Sequence, residues 1–399
     1  MIRQRKASPN VSAHLNEHCR PLQRCVFCPN VRRHLRQGIE RIPHMPEPFK
    51  NSERGKTIYS THLHRKSAVL LFIIVFIGGT FKPTDPAHCA DHNSGKWQKT
   101  SESVFHGLSA LISVDSFLVA GSFGGGVFLT TDDGLQWIGV NTGLGGNNDL
   151  SIRCLARKGD ILFAGTDGNG VYRMNITDKV WQHTSDGIPN DTIVSESDTS
   201  ISGSRIFGIG ISGNIILAGT ADWHGLYRSN DDGRNWAPSG LQDKCVTTFG
   251  QFDNLVLAGT CGRGGIYESV DNGLSWRLSL QAEVTYGFVE MNGVIFAGTN
   301  HGVFKTVDSC RTWNQANHGL PKHSVNAITV SDRIVFVGGQ NMGVYCSTNA
   351  GQDWVDFNEG LPKNVTVYAL TIHNNKVFAG THKDGVWQRD ISDVQKRSY

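Results

Sequence analysis

Charge is scarce in this chain: only 18% of its 399 residues are Asp, Glu, Lys or Arg. The motifs of several large function classes are missing as well. There is no P-loop, no dinucleotide fingerprint and no H-E-x-x-H, so nothing in the sequence points to nucleotide-phosphate or zinc-peptidase chemistry. The glycine clusters GSFGGG (121–126) and CGRGG (261–265) look like phosphate cradles, but they follow strands without opening helices and read as turns. The apolar run Ala68–Ile77 is ten residues long, short of the roughly 20 that span a bilayer. What the chain has in abundance is glycine, 46 residues. With so little charge, that composition suggests many tight turns between short strands.

The net charge of +3 hides an asymmetry. Residues 1–66 hold 14 Lys/Arg against four Glu, whereas residues 67–399 carry a net −7. The acidic remainder argues against nucleic acid as a partner, because phosphate binding needs a positive surface. The basic head has little apolar periodicity and reads as disordered, or as an over-extended gene start. Its C-x2-C pair, Cys25 and Cys28, lies near Cys19 and several histidines but has no second matching pair. Arg65 and Lys66 then precede the apolar segment 67–81. A positive flank before a 7–15 residue apolar core is the pattern of a secretory signal, with a retained membrane anchor as the competing reading. Either way the rest of the chain is expected to be exported.

Beyond residue 92 the chain repeats. Ala-Gly-Thr or a close variant follows an apolar run seven times, at Ala120, Ala164, Ala218, Ala258, Ala297, Val337 and Ala379. A glycine followed by an apolar residue comes shortly after each. Tryptophans recur at Trp97, Trp137, Trp181, Trp236, Trp276, Trp313 and Trp354, spaced by 40, 44, 55, 40, 37 and 41 residues. A period near 40–45 with several short strands per unit is a propeller signature. The unit from Ser324 reads as strand A VNAITV, strand B IVFVGG, strand C GVYCST and a strand D beginning at Trp354. Trp97 has no strands A to C before it, and the last unit has no tryptophan strand after it. Ring closure resolves both, with the N-terminal strand completing the last blade. The expectation is an all-β, seven-bladed β-propeller over about 92–393.

A recurring turn lies between strands C and D. Thr130 to Trp137 fits S/T-x-D-x-G-x-x-W with Asp132 and Gly134. So do Ser229 to Trp236, with Asp231 and Gly233, and Ser269 to Trp276, with Asp271 and Gly273. Thr306 to Trp313 keeps Asp308 but has Cys310 for glycine, and Ser347 to Trp354 keeps Gly351 but has Asn349 for aspartate. The hydroxyl and carboxylate can bond backbone N–H groups and hold the turn, and the tryptophan can pack between sheets. These residues are read as structural. On these turns the chain resembles the Asp-box (BNR) repeat superfamily, whose members include sialidases, xyloglucan-active glycoside hydrolases, sortilin-type receptors and photosystem II assembly factors. The resemblance implies that the Asp boxes lie on one face and the binding loops on the other. It leaves function open, because one scaffold hosts enzymes, receptors and assembly factors.

The B–C and D–A connections should therefore carry binding. Candidate ligand-binding residues are Asp222, Trp223, His224, Arg263, His301 and His382. In TADWHG (220–225), Trp223 is extra to the repeat and could stack on a sugar or anchor a protein. The interval Trp181–Trp236 also holds a polar insertion, 186–204, which should enlarge the same face. The sialidase resemblance implies three arginines around a substrate carboxylate, for which Arg153, Arg205 and Arg263 are candidates, and a Tyr/Glu nucleophile pair, for which Tyr286 with Glu283 or Glu290 could serve. The F/Y-R-I-P motif of that family is absent from the start of the propeller. Five cysteines lie in the repeat region beyond residue 92, of which Cys245 and Cys261 lie in adjacent strands and could pair. The favoured reading is a monomeric, exported, non-catalytic module that binds a protein or glycan and has no cofactor, no metal and no catalytic residue, with possible membrane attachment through 67–81. A sialidase-like glycoside hydrolase is the alternative.

Overall fold

The computed structural model describes residues 95–101, 107–145, 150–189, 192–195, 198–262 and 264–395. The basic head, the apolar segment 67–81 and Arg263 lie outside the described residues. Seven four-stranded antiparallel sheets form seven blades. Their innermost strands, here called A, are Leu108–Val114, Ile152–Lys158, Ile206–Ser212, Cys245–Phe252, Thr285–Met291, Val325–Ser331 and Val367–His373. They pack side by side around the ring. Each blade continues outward through strands B, C and D. In blade 6 these are Ile334–Gly339, Gly343–Ser347 and Val355–Asp356, so strand D starts one residue beyond the tryptophan. Blade 7 takes its fourth strand from the N-terminal side, where Gln98 and Lys99 pair with Gln388 and Trp387.

The Ala-Gly-Thr tripeptide closes strand B and does two jobs. Its alanine and glycine leave room for the next blade. A Cβ on Gly121 would lie 2.6 Å from Cγ2 of Ile152 at the start of the neighbouring strand A, closer than carbon atoms pack. Its threonine is buried and turns back on its own loop. The hydroxyls of Thr166, Thr220, Thr260, Thr299 and Thr381 donate to the carbonyls of Gly170, Gly225, Gly265, Gly302 and Gly385 at 2.7–3.0 Å. The recurring Gly-Val, Gly-Leu or Gly-Ile pair is thus where the B–C connection is pinned.

The tryptophans join blade to blade. The indole N–H of Trp181 donates to Val140 O at 2.7 Å, that of Trp236 to Thr184 O at 2.7 Å and that of Trp354 to Ala316 O at 2.7 Å. Each acceptor lies three residues beyond the tryptophan of the preceding blade. Trp97 makes the same bond to Phe357 O across the closure. There Arg389, 1% exposed in its side chain, lies over the Phe357 ring and bonds Asp393 and the Phe357 carbonyl. A buried tryptophan with its donor satisfied contributes both apolar area and one net hydrogen bond, about 1 kcal/mol.

The C–D turns share one bonding scheme. In blade 1, Thr130 donates to Asp132 Oδ1 at 2.7 Å, Gly134 N–H donates to Thr130 Oγ1 at 3.0 Å, and Gln136 N–H donates to Asp132 Oδ1 at 2.9 Å. Asp231 and Asp271 repeat it with Ser229 and Ser269. The two degenerate turns repeat it as well. Cys310 takes the glycine position at φ 68°, and its N–H still reaches Thr306 Oγ1 at 3.2 Å. Asn349 takes the aspartate position and accepts from Asp353 N–H at 2.9 Å. An amide oxygen can replace the carboxylate, and a non-glycine residue tolerates the left-handed backbone at a cost of about 1 kcal/mol. These bonds hold the carboxyls of Asp231, Asp271 and Asp308 down to about 2, the side-chain bonds from Asn235, Ser275 and Thr312 being the largest cause.

Among the described residues, no helix is long and apolar enough to cross a membrane, and no group of three or more His, Cys, Asp or Glu could hold a metal ion. Cys245 and Cys261 form a disulfide between strands A and B of blade 4. Cys154, Cys310 and Cys346 are in no disulfide, and burial pushes the thiols of Cys154 and Cys310 up to about 12.

Candidate functional site

The face opposite the C–D turns is built from the B–C and D–A connections, and here the blades differ from one another. Its geometry starts from an irregularity in strand A. In every blade the A–B register slips near the first residues of strand A, leaving one residue bulged: Ser109, Arg153, Phe207, Thr247, Tyr286, Asn326 and Tyr368. A bulge re-aims its side chain out of the regular alternation. All seven residues are half-buried, and they occupy the same position at the start of the seven innermost strands. The backbone repeats seven times, but the side chains do not.

On one side of this ring the residues touch in a continuous arc. His382 meets Tyr368 with ring centroids 5.5 Å apart, and Tyr368 meets the ring of Phe123 at 6.0 Å, both edge-on. The Arg153 guanidinium then lies 5.0 Å from the Phe123 ring and 5.0 Å from the Phe207 ring. The arc runs from blade 7 through blades 1 and 2 to blade 3. The bulged residues of blades 4, 5 and 6 are Thr247, Tyr286 and Asn326, all polar. Thr247 Oγ1 bridges to Gly259 O at 3.1 Å and to Thr285 O at 2.6 Å. The packed aromatic rings thus lie around Arg153 on blades 7, 1 and 3, and the bulged positions of blades 4 to 6 carry Thr247, Tyr286 and Asn326.

The charges in this region are matched. Arg153 bonds Asp167 at 2.5 Å, with side chains 11% and 24% exposed. Arg205 bonds Asp222 through Nε at 2.8 Å and through Nη2, and its backbone N–H adds a third bond at 3.1 Å. Arg153 Nε and Asp167 Oδ1 are buried with no protein partner. Burial is the main cause that lowers the His382 pKa from its ordinary value, favouring the neutral imidazole.

The sequence-selected residues do not gather into one cluster. Asp222 is occupied by Arg205, so it serves the loop rather than solvent. Trp223 follows it at φ 65° and stays 45% exposed. Its ring reaches across to the next blade, where a Cβ on Gly262 would sit 2.8 Å from Trp223 Cη2. The indole therefore rests on the backbone of the blade 4 loop and not on its own blade. His224 is half-buried in the same turn. His301 is on the rim of blade 5, with Glu283 at 3.8 Å and Asn300 at 3.2 Å. Of the five candidates among the described residues, His382 alone joins the aromatic arc. Glu290, one of the two nucleophile partners considered for Tyr286, lies instead beside the A–B hairpin, where Gly293 N–H donates to it. The insertion before blade 3 forms a small antiparallel hairpin, Thr192–Ser195 with Asp198–Ser202, in the D–A connection.

Sequence reasoning missed Phe123, Asp167 as the partner of Arg153, and the bulged ring as a set. A signal for the ring is present: LSAL, IRCL, IFGI, VTTF, TYGF, VNAI and VYAL align seven times. In each a free second position is followed by a small or short residue and then a large apolar one, where strict alternation would have put the apolar residue one place earlier.

No protein-family model matches the chain. No curated protein matches it in sequence. Solved structures do share its fold. It is similar to the extracellular domain of a proposed hybrid two component system from B. thetaiotaomicron, with TM-score 0.59 and 15% identity over 75% of this chain and 41% of that one. It is similar to YCF48 from Cyanidioschyzon merolae, with TM-score 0.56 and 12% identity over 74% of this chain and 99% of that one. It is also similar to an ancestral GH74 enzyme, with TM-score 0.50 and 19% identity over 63% of this chain and 37% of that one. The chain thus spans about two-fifths of the length of the ectodomain and of the GH74 enzyme. At these identities the likeness is one of fold, the seven-bladed β-propeller.

Proposed function

We propose that this chain is an exported, non-catalytic interaction module of the Asp-box repeat type, binding a protein or glycan partner on the face made by its B–C and D–A connections. The observation that carries this reading is the contrast in side chains around one repeated backbone. The bulged residues and the loops beside them vary from blade to blade and include the half-exposed Trp223. Divergence on one face of a uniform scaffold is where partner recognition belongs. Export is supported by the Arg65–Lys66 flank before the apolar segment 67–81, and by the disulfide, which persists in oxidising compartments.

The hydrolase reading has less support. Two of the three arginines that would hold a sugar carboxylate are already bonded to aspartates, and those aspartates are thereby withheld from acid or base work. A panel of fluorogenic glycosides run beside a glycan array on the full chain separates the readings. Saturable binding without turnover is expected, and turnover of any glycoside would displace the binding-module reading. If both assays are silent, the partner is sought by capture from the native envelope fraction. A partner whose binding is lost only when the C–D turns are altered would refute the reading.

A further inference from the structure

The exposed apolar side chains of this propeller are not shared evenly between its two faces. Among the described residues nine large ones are exposed, and only Trp223 belongs to the B–C face. Leu135, Val180, Val270, Leu274 and Val307 sit in the C–D connections of blades 1, 2, 4 and 5. Ile138, Leu278 and Val355 are the first or second residues of the strands D that follow such turns, Ile138–Gly139, Arg277–Gln281 and Val355–Asp356. Resting on the reading of this chain as exported with an apolar segment at 67–81, we infer that the C–D face lies on a zwitterionic lipid bilayer, its aliphatic turn residues set into the interface, so that the B–C face points away from the membrane.

Three observations lead there. First, the turn bonds decide which side chains are left outside. In blade 4 the Ser269 hydroxyl and the Asp271 carboxylate are turned onto their own loop. Val270 between them stays 74% exposed, and Leu274 after the glycine 62%. Val307 and Leu135 hold the matching places in blades 5 and 1. Aliphatic groups this open gain free energy only where an apolar medium covers them. Second, they are spread around the ring, on blades 1, 2, 4, 5 and 6. A protein footprint gathers its apolar contacts at one centre inside a polar rim, whereas side chains distributed over one face suit a flat, continuous surface. They are densest on blades 4 and 5, which adjoin there: Ser279, next to Leu278, donates to Cys310 O at 2.8 Å and accepts from the Trp313 indole at 2.9 Å. Third, the chain enters the propeller from this side. Gln98 and Lys99 run antiparallel to strand C of blade 7, Val386–Asp390, so Gly95 lies at the Asp390 end, where Arg389 Nη2 donates to its carbonyl. That end adjoins the A–B hairpin, since Ile391 N–H donates to Asn375 O at 3.1 Å. Thirteen residues, 82–94, link Gly95 to the apolar segment, a tether of at most about 45 Å. An apolar segment seated in lipid would hold the C–D side toward the bilayer. The carboxylates of Asp231, Asp271 and Asp308 on this face disfavour an anionic surface, which leaves a zwitterionic one.

The test is hydrogen–deuterium exchange of the full chain, free and on phosphatidylcholine vesicles, with flotation to show that the chain is bound. On the vesicles the amides of 131–138, 270–278 and 307–312 should exchange at least about threefold more slowly, and those of the B–C connections 220–225 and 339–343 should not change. Vesicles containing phosphatidylglycerol should give no greater protection. The triple variant Val270→Ser, Leu274→Ser, Val307→Ser should still float but lose the protection at its two turns. Its thermal transition should match the wild type, because all three side chains are exposed. Val270→Leu, Leu274→Ile, Val307→Leu keeps the apolar surface and should keep the protection. The inference is overturned if the chain floats while its C–D turns exchange as they do in solution, or if the B–C connections are the protected ones. Protection of the C–D turns that appears without lipid and grows with protein concentration would also overturn it, because the face would then be an interface between copies. A chain that does not float removes the premise about 67–81 and the inference with it. Partner binding on the B–C face is read in assays without lipid, so it stands or falls separately.

Discussion

The two faces of this propeller are made from the same seven repeats, yet they follow opposite rules. On the C–D face, five turns make the same hydroxyl, carboxylate or amide bonds, even where cysteine replaces glycine or asparagine replaces aspartate. On the B–C face the backbone is equally regular, with a bulge at the same point of every strand A, but the seven bulged side chains run from serine to arginine to tyrosine. Chemistry that tolerates substitution and still rebuilds the same geometry is scaffold. Geometry that stays fixed while its chemistry varies is a display surface.

The comparison is sharpest between two tryptophans of blade 3. Trp236 is 5% exposed and bonded to the preceding blade, and Trp223 is 45% exposed on the other face. Trp236→Ala is expected to cost about 3–5 kcal/mol in urea unfolding, the usual range for a buried aromatic. Next in size come the fixed pairs of the display face. Asp167→Ala strands the Arg153 guanidinium between two rings and should cost about 2–3 kcal/mol, discounted for partial exposure. The double variant Arg153→Met with Asp167→Ala should recover much of that loss. If it does not, the two residues are not coupled. Replacing both cysteines of the Cys245–Cys261 bridge by serine should lower stability by about 3 kcal/mol, measured against the wild type under oxidising conditions.

A smaller effect concerns acid. The carboxyls of Asp231, Asp271 and Asp308 have a folded pKa of about 2 against an unfolded 3.8. A depressed pKa contributes stability above the unfolded value, and that contribution is lost as pH falls toward the folded one. The urea midpoint should therefore fall between about pH 4.5 and pH 2, and a triple Asp→Asn variant should show a flatter fall, since Asn349 already closes such a turn. An identical slope in that variant would mean the turns do not titrate as bonded groups. Smallest of all, Trp223→Ala should change stability by less than about 0.5 kcal/mol. A large loss there would make Trp223 a structural residue and blur the contrast between the faces.

The ring was legible in the sequence because the blades repeat the devices that build it: the Ala-Gly-Thr or its variant that lets the next blade approach, the glycine that ends the B–C connection and the tryptophan, bonded in most blades to its neighbour. Ring closure was legible from Trp97, which lacked a preceding unit. The pairing of Cys245 with Cys261 followed from their places in adjacent strands. The display face was less legible, since its logic lies between blades. Arg153 is stacked by a residue from the blade before it and another from the blade after it, and no local pattern announces Phe123 or Phe207 as its partners. Asp222 stood out in the sequence because it flanks a tryptophan, and the structure shows it bonded to Arg205. Trp223 stood out because it breaks the repeat, and its support, Gly262, lies 39 residues further along the chain.

The most direct test of the division between faces is binding by two variants of the full chain, Phe207→Leu on the B–C face and Leu274→Ser on an exposed C–D turn, each assayed against the protein or glycan partner found for the wild type. Loss of about tenfold or more in Phe207→Leu with no change in Leu274→Ser is the expected result. Loss in Leu274→Ser with Phe207→Leu unaffected would put recognition on the scaffold face and contradict the assignment.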